Sequence, residues 1–187
     1  MCWIGIGAAH SVTLEGTSPI QGALAGGAGL ALGIFWTFEA SGGHLNPTVT
    51  IAHFVQGKMG TSLLDNILGL FVYLAAQVLG MFLAAAFSYG VYYGGDQSLL
   101  PQNGANITAA DLEKMVCLYA TCPTSTYSNS MASMFFDQVA GGAVMGTTVL
   151  AVTDPFNANP AGKAGMAPLI IGTAAGTMGL SYGSNAG

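Results

Sequence analysis

The sequence predicts an all-α integral membrane protein in which apolar helices surround one re-entrant half-helix, and three observations predict it. Hydrophobic residues make up 52% of the 187 positions and charged residues only 6%, whereas a soluble domain gives roughly a quarter of its positions to charge. Four apolar stretches approach or exceed the roughly 20 residues that a bilayer core of about 30 Å requires. Between the first two lies the segment 41–55, too short to cross the bilayer and too apolar to lie in water.

In chain order, residues 1–9 are apolar but too short to span. They lack a basic leader and a cleavage signature and read as the tail of a helix rather than a signal peptide. The full spans are residues 20–38, 67–93, 134–153 and 167–182, with the half-helix at 46–55. Residues 94–133 and 154–165 hold Asp, Asn, Pro, Ser and Gly and read as loops. Their acids Asp96, Asp111 and Glu113, like Glu15 before the first span, read as solvated. Lys58 and Lys163 fall on one side of this alternation and Lys114 on the other, which places the short loops in the cytoplasm. Asn106-Ile107-Thr108 is an acceptor sequon on the outer side. Cys117 and Cys122 lie close in a polar stretch, where spacing alone does not fix pairing. Glycines at 22, 26, 29 and 33 and at 172, 176, 179 and 183 recur at the spacing that lets helix backbones touch in lipid.

Several functions are excluded. The chain has no arginine and three lysines, so phosphate and nucleic-acid binding lack their electrostatic footing. No His, Cys or carboxylate set has metal-ligand spacing and no nucleophile has a base, so neither catalytic residues, a metal nor a cofactor is expected. Gly5-Ile6-Gly7 follows no strand and is not a nucleotide fingerprint. A secondary transporter would need intramembrane ionisable residues, for which only Glu39 and Asp137 stand as candidates.

The chemistry concentrates in Ser41-Gly42-Gly43-His44-Leu45-Asn46-Pro47-Thr48. Irregular backbone at membrane depth is tolerated only where it is buried in protein or lines a wet cavity. The carbonyls of Gly42, Gly43, His44 and Leu45 are therefore expected to form a ladder of acceptors. Asn46 before Pro47 is a helix-start signal. A helix beginning in mid-bilayer presents about half a positive charge at its N-terminus, which opposes cations and protons. The Asn46 amide would donate to a passing hydroxyl. His44 is expected to fix the loop by hydrogen bonds, and His10 and His53 to be structural or surface residues.

These residues resemble the first Asn-Pro-Ala box of the major intrinsic protein (aquaporin) family, with Thr48 in place of alanine. Ala76-Gln77 and Gly80, Phe135-Phe136-Asp137-Gln138, and Asp154-Pro155-Phe156-Asn157 are similar to later segments, the last typical of the glycerol-conducting branch. The resemblance implies a right-handed bundle of six helices and two half-helices, built as an inverted repeat, assembled as a homotetramer and sited in the plasma membrane. On that plan residues 1–9 end helix one, the four spans are helices two to five, and the second half-helix and helix six are absent. The chain is thus expected to be truncated at both ends and, as this fragment, not to conduct. Asn159-Pro160-Ala161 spells the box but precedes helix five and reads as loop. Ala186-Gly187 match Ser41-Gly42 in the second repeat.

The implied activity is passive conduction of glycerol, water, and other small polyols or urea, with a water-selective channel as the alternative. The resemblance places the filter at Gly26 and apolar pore positions at Leu30, Val49 and Ala175, and the absence of a bulky residue at Gly26 implies a wide pore.

Overall fold

The computed structural model describes residues 2–102, 106–122, 130–157 and 165–186, and all regular structure among them is helical. The helices are α1 (Cys2–Glu15), α2 (Pro19–Ser41), α3 (Pro47–Val55), α4 (Leu63–Ser98), α5 (Ala109–Val116), α6 (Met131–Thr153) and α7 (Ala167–Ala186). Three of them, α2, α4 and α6, are long and apolar enough to cross a membrane, and the apolar stretch Ala167–Ser181 of α7 is shorter. Large apolar side chains such as Phe35, Trp36, Phe71, Phe82 and Phe136 are exposed, which suits a protein whose surrounding solvent is hydrocarbon. Asn159-Pro160-Ala161, Lys163 and Gly187 lie outside the described residues.

The boundaries differ from the hydropathy reading in several places: α2 and α7 run past residues 38 and 182, α4 begins at Leu63 rather than residue 67, and residues 131–133, read as loop, start α6. The first helix runs past Ala9 to Glu15 because His10, polar by type, is buried and hydrogen-bonded within the protein. Residues 94–98 belong to α4 rather than a loop, which corrects the reading of Asp96 as a solvated acid: it is fully buried on that helix. Residues 109–116 form α5, which hydropathy misses because the helix is short and carries Asp111, Glu113 and Lys114. The short turn after α5 is closed by a disulfide between Cys117 and Cys122, with Cα atoms 5.4 Å apart.

Local chemistry starts several of the helices. Ser18 caps α2 with a reciprocal bond from Gln21, and Pro19 occupies the first helical position. Thr108 and Asp111 form the same device at α5. The Thr108 hydroxyl and then its backbone N–H hold the Asp111 carboxyl below the usual carboxylate range. A depressed folded-state pKa contributes stability above the unfolded value and loses it as pH falls through the folded one. Hence α5 is expected to fray on acidification through the carboxylate range, seen as lost amide-exchange protection at Leu112. Asp111→Asn should abolish that pH dependence, and protection that does not vary with pH in the wild type would contradict the account.

The most extensive helix contact is between α2 and α7, followed by α6–α7 and α1–α2; α3 rests between α4 and α6. At Gly27 a methyl group would lie 2.5 Å from the carbonyl oxygen of Gly172, and at Gly172 one would lie 2.5 Å from that of Gly27. The two backbones therefore touch, as small residues permit in lipid. Beside this seam lies the core: Leu30 and Ile34 of α2, Val49 of α3, Met145 and Val149 of α6, and Ala167 and Ile171 of α7.

Candidate functional site

Helix α2 ends at Gly42 (φ 70°), whose N–H donates to the Phe38 carbonyl. Gly43 (φ 62°) and Leu45 (φ 50°) also occupy the left-handed region, which costs a branched residue such as Leu45 free energy and persists only where surroundings enforce it. A methyl at Gly43 would meet Ile34 at 3.0 Å, so glycine there serves both conformation and space. The loop is then tied down. Tyr73 of α4 donates to the Ser41 carbonyl at 3.0 Å, and His44 stacks on His53 with ring centres 4.3 Å apart.

Thr50 is the hub beneath the loop, with no exposed surface. Gln77 Nε2 of α4 donates to its Oγ1 at 2.8 Å, while Oγ1 lies 3.2 Å from the Asn46 carbonyl and 3.3 Å from His44 Nδ1. One hydroxyl thereby joins α4, the loop and α3. Thr50→Val keeps the shape but leaves these polar groups facing a methyl. It is expected to cost about 1–3 kcal/mol in a denaturant titration in micelles; Thr50→Ser should recover most of it. A neutral Thr50→Val would remove Thr50 from this role.

Asn46 caps α3: its Oδ1 accepts from the Thr48 N–H at 2.8 Å. An N–H donor must face the oxygen of a side-chain amide, so this bond fixes the amide orientation and turns the Asn46 NH2 away from the helix. No partner takes that NH2 among the described residues, and no donor reaches the carbonyls of Gly42, Gly43, His44 or Leu45.

These groups border two cavities. The smaller, about 20 Å³, has Gly42, Gly43, His44 and Asn46 along one side and Leu30, Ile34, Val49, Val149 and Ile171 among its apolar walls. That is room for about one water. The larger, about 250 Å³, is lined by Asn46, Thr48, Asp137, Gln138, Met145 and small residues of α6 and α7. Asn46 and Met145 line both.

Of the sequence-predicted site residues, Leu30, Gly42, Gly43, His44, Asn46 and Val49 thus meet at the small cavity and Thr48 lines the large one. Pro47 is the first residue of α3. Leu45 packs against the core and borders a separate space beside Tyr73 and Gln77. Ala175 packs against the core, and neither it nor Gly26 lines a cavity described here. Sequence reading missed Ile34, Val149 and Ile171. The signal was available as four-residue spacing, since Leu30–Ile34, Met145–Val149 and Ala167–Ile171 each place a buried pair on one helix face. Glu39 is exposed at the end of α2.

A half-helix capped by Asn46, and a loop whose carbonyls have no donor among the described residues, border a small cavity between helices able to cross a membrane, and together they define an α-helical integral membrane protein with a re-entrant site. The sequence pattern of the family described as major intrinsic protein matches residues 1–187. The chain belongs to that family. It is 35% identical over 192 aligned positions to Aquaglyceroporin-2 of Rhizophagus irregularis, covering 98% of this chain and 55% of the relative. Identity to human Aquaporin-10 is 29%, covering 88% of this chain and 50% of the relative. Identity to Aquaglyceroporin-4 of Botryotinia fuckeliana is 30%, covering 83% of this chain and 20% of the relative. The chain therefore spans about half the length, or less, of these curated relatives.

Proposed function

We propose that the whole protein is a passive channel conducting water, glycerol and similar small uncharged solutes such as other polyols or urea. The observation that carries this reading is the pairing of an unspent Asn46 amide with a file of unpaired carbonyls opposite an apolar wall. A solute hydroxyl can donate to the carbonyls of Gly42, Gly43 and His44 and accept from Asn46, while its carbon skeleton slides along Leu30, Val49, Val149 and Ile171. A charged solute gains too little there to offset its lost hydration. The positive end of α3 repels cations, and a water held by the Asn46 amide has its oxygen committed as acceptor, which interrupts proton hopping.

The small cavity fits one water-sized guest as packed. Met145 is its most adaptable wall, because an unbranched thioether chain changes rotamer at low cost. Relatives bearing the name aquaglyceroporin support glycerol as a solute. Gly26 as a filter position and Ala175 as a pore wall belong to this proposal, as do homotetrameric assembly and residence in the plasma membrane.

Stopped-flow swelling of vesicles carrying the full-length protein tests the reading. Water and glycerol fluxes well above those of protein-free vesicles are expected. Water flux without glycerol flux would overturn the solute assignment, and uptake driven by a proton gradient would overturn the channel class.

A further inference from the structure

Away from the cavity, the C-terminal parts of α1 and α4 bury a pair of polar side chains that the passage does not use. His10 and Asp96 are 1% and 0% exposed, and His10 Nε2 lies 2.9 Å from Asp96 Oδ1. His10 Nδ1 lies 2.8 Å from the Ile6 carbonyl, which can only accept, so Nδ1 carries a proton. The His10–Asp96 contact then needs a second proton between its two atoms. The other carboxylate oxygen accepts from the hydroxyl of Tyr119. Tyr92 stacks on His10 with ring centres 4.2 Å apart, and Tyr89 flanks Tyr119 at 6.3 Å. Burial, and then the bond to Asp96, keep the Tyr119 phenol protonated well above its usual range, so it remains a donor.

Tyr119 comes from neither helix. It sits in the ring closed by Cys117 and Cys122, in a turn whose backbone bonds run from Tyr119 to Val116 and from Leu118 to Met115. Leu118, its neighbour, is buried. Without this disulfide the turn has many more conformations to choose from, and few present the hydroxyl to Asp96. Lys114 and Glu113 of α5 are exposed, and among the described residues no hydrogen bond or ion pair joins either side chain to His10, Asp96 or Tyr119.

We propose that the Cys117–Cys122 disulfide is a redox-sensitive latch: closed, it seats Tyr119 on the buried His10–Asp96 pair and clamps the outer segment onto α1 and α4, and its reduction releases that segment. The step is a two-electron reduction by a dithiol. The S–S bond breaks, two protons and two electrons yield two cysteine thiols, and the dithiol is oxidised to its own disulfide. Once Tyr119 leaves, a carboxylate oxygen of Asp96 loses its buried donor, so the helix ends should loosen as well.

The test is amide hydrogen exchange on the membrane-embedded chain before and after dithiothreitol. Reduction is expected to speed exchange at least about tenfold in 109–122 and near residues 10 and 96, while α2 and α7 stay protected. Oxidised Tyr119→Phe should show the same loosening at residues 10 and 96, and the Cys117→Ser/Cys122→Ser double variant should ignore dithiothreitol. Unchanged exchange in the reduced wild type would overturn the latch without requiring any variant to fold. Wild-type protection around residues 10 and 96 in oxidised Tyr119→Phe would overturn the role of the hydroxyl.

Discussion

Gly27→Leu is expected to be the most damaging single substitution in the bundle, costing about 3 kcal/mol or more. Its side chain would have to occupy space where a methyl already comes within 2.5 Å of the Gly172 carbonyl and 2.9 Å of the Gly176 amide nitrogen. Both neighbours are backbone, so neither can swing away, and the helices must separate. Separation forfeits packing along the broadest helix contact in the fold, and in lipid no hydrophobic gain compensates, because tails are as apolar as side chains. Denaturant titration in micelles measures the effect. The milder pair Gly27→Ala and Gly172→Ala supplies a sharper check, since both methyls push on the same gap. Once one has parted the helices, the second should cost much less than it does alone. Additive losses would mean that the two glycines act independently.

The second large effect is expected at Asn46, in the full-length protein. Asn46→Asp preserves the oxygen that caps Thr48 and so keeps α3, but it replaces the NH2 with a second acceptor. A hydroxyl leaving the carbonyl file would then meet no donor. An unmade hydrogen bond in a dry site costs about 1–3 kcal/mol, which as a barrier predicts water and glycerol fluxes reduced roughly tenfold to a hundredfold. The added charge should also admit cations, seen as dissipation of an imposed ion gradient. Asn46→Ala loses the cap too, and should shorten α3 as well as slow flux. Unaltered permeation in Asn46→Asp would remove the amide from the proposed path.

The all-helical membrane fold was legible because lipid imposes a uniform demand: about 20 apolar residues leave a mark that no loop imitates. Capping is legible for a related reason, since it depends on neighbours within three positions, as with Asn46 and Thr48 or Thr108 and Asp111. The far walls of the small cavity were harder. Val149 and Ile171 become neighbours of Gly43 only through the way three helices cross, and their own sequence surroundings look like any apolar span. Asp96 misled for the opposite reason. A carboxylate near two glycines and a glutamine resembles a loop, and its burial depends on His10 and Tyr119, far away in sequence. Cys117 and Cys122 admitted pairing by spacing, but the turn that brings them together comes from α5, a helix with no hydropathy signal.

The glycine seam between α2 and α7 also has a bearing on biosynthesis. Its two halves lie about 145 residues apart, and at a synthesis rate of about 5–20 residues per second α2 waits on the order of ten seconds before its main partner exists. During that interval α2 must persist without α7, with the notch at Ala23 and Gly27 filled by lipid or by another helix. Assembly of the bundle is therefore a late event, and a stalled chain lacking α7 would offer that notch to whatever small-faced helix reached it first.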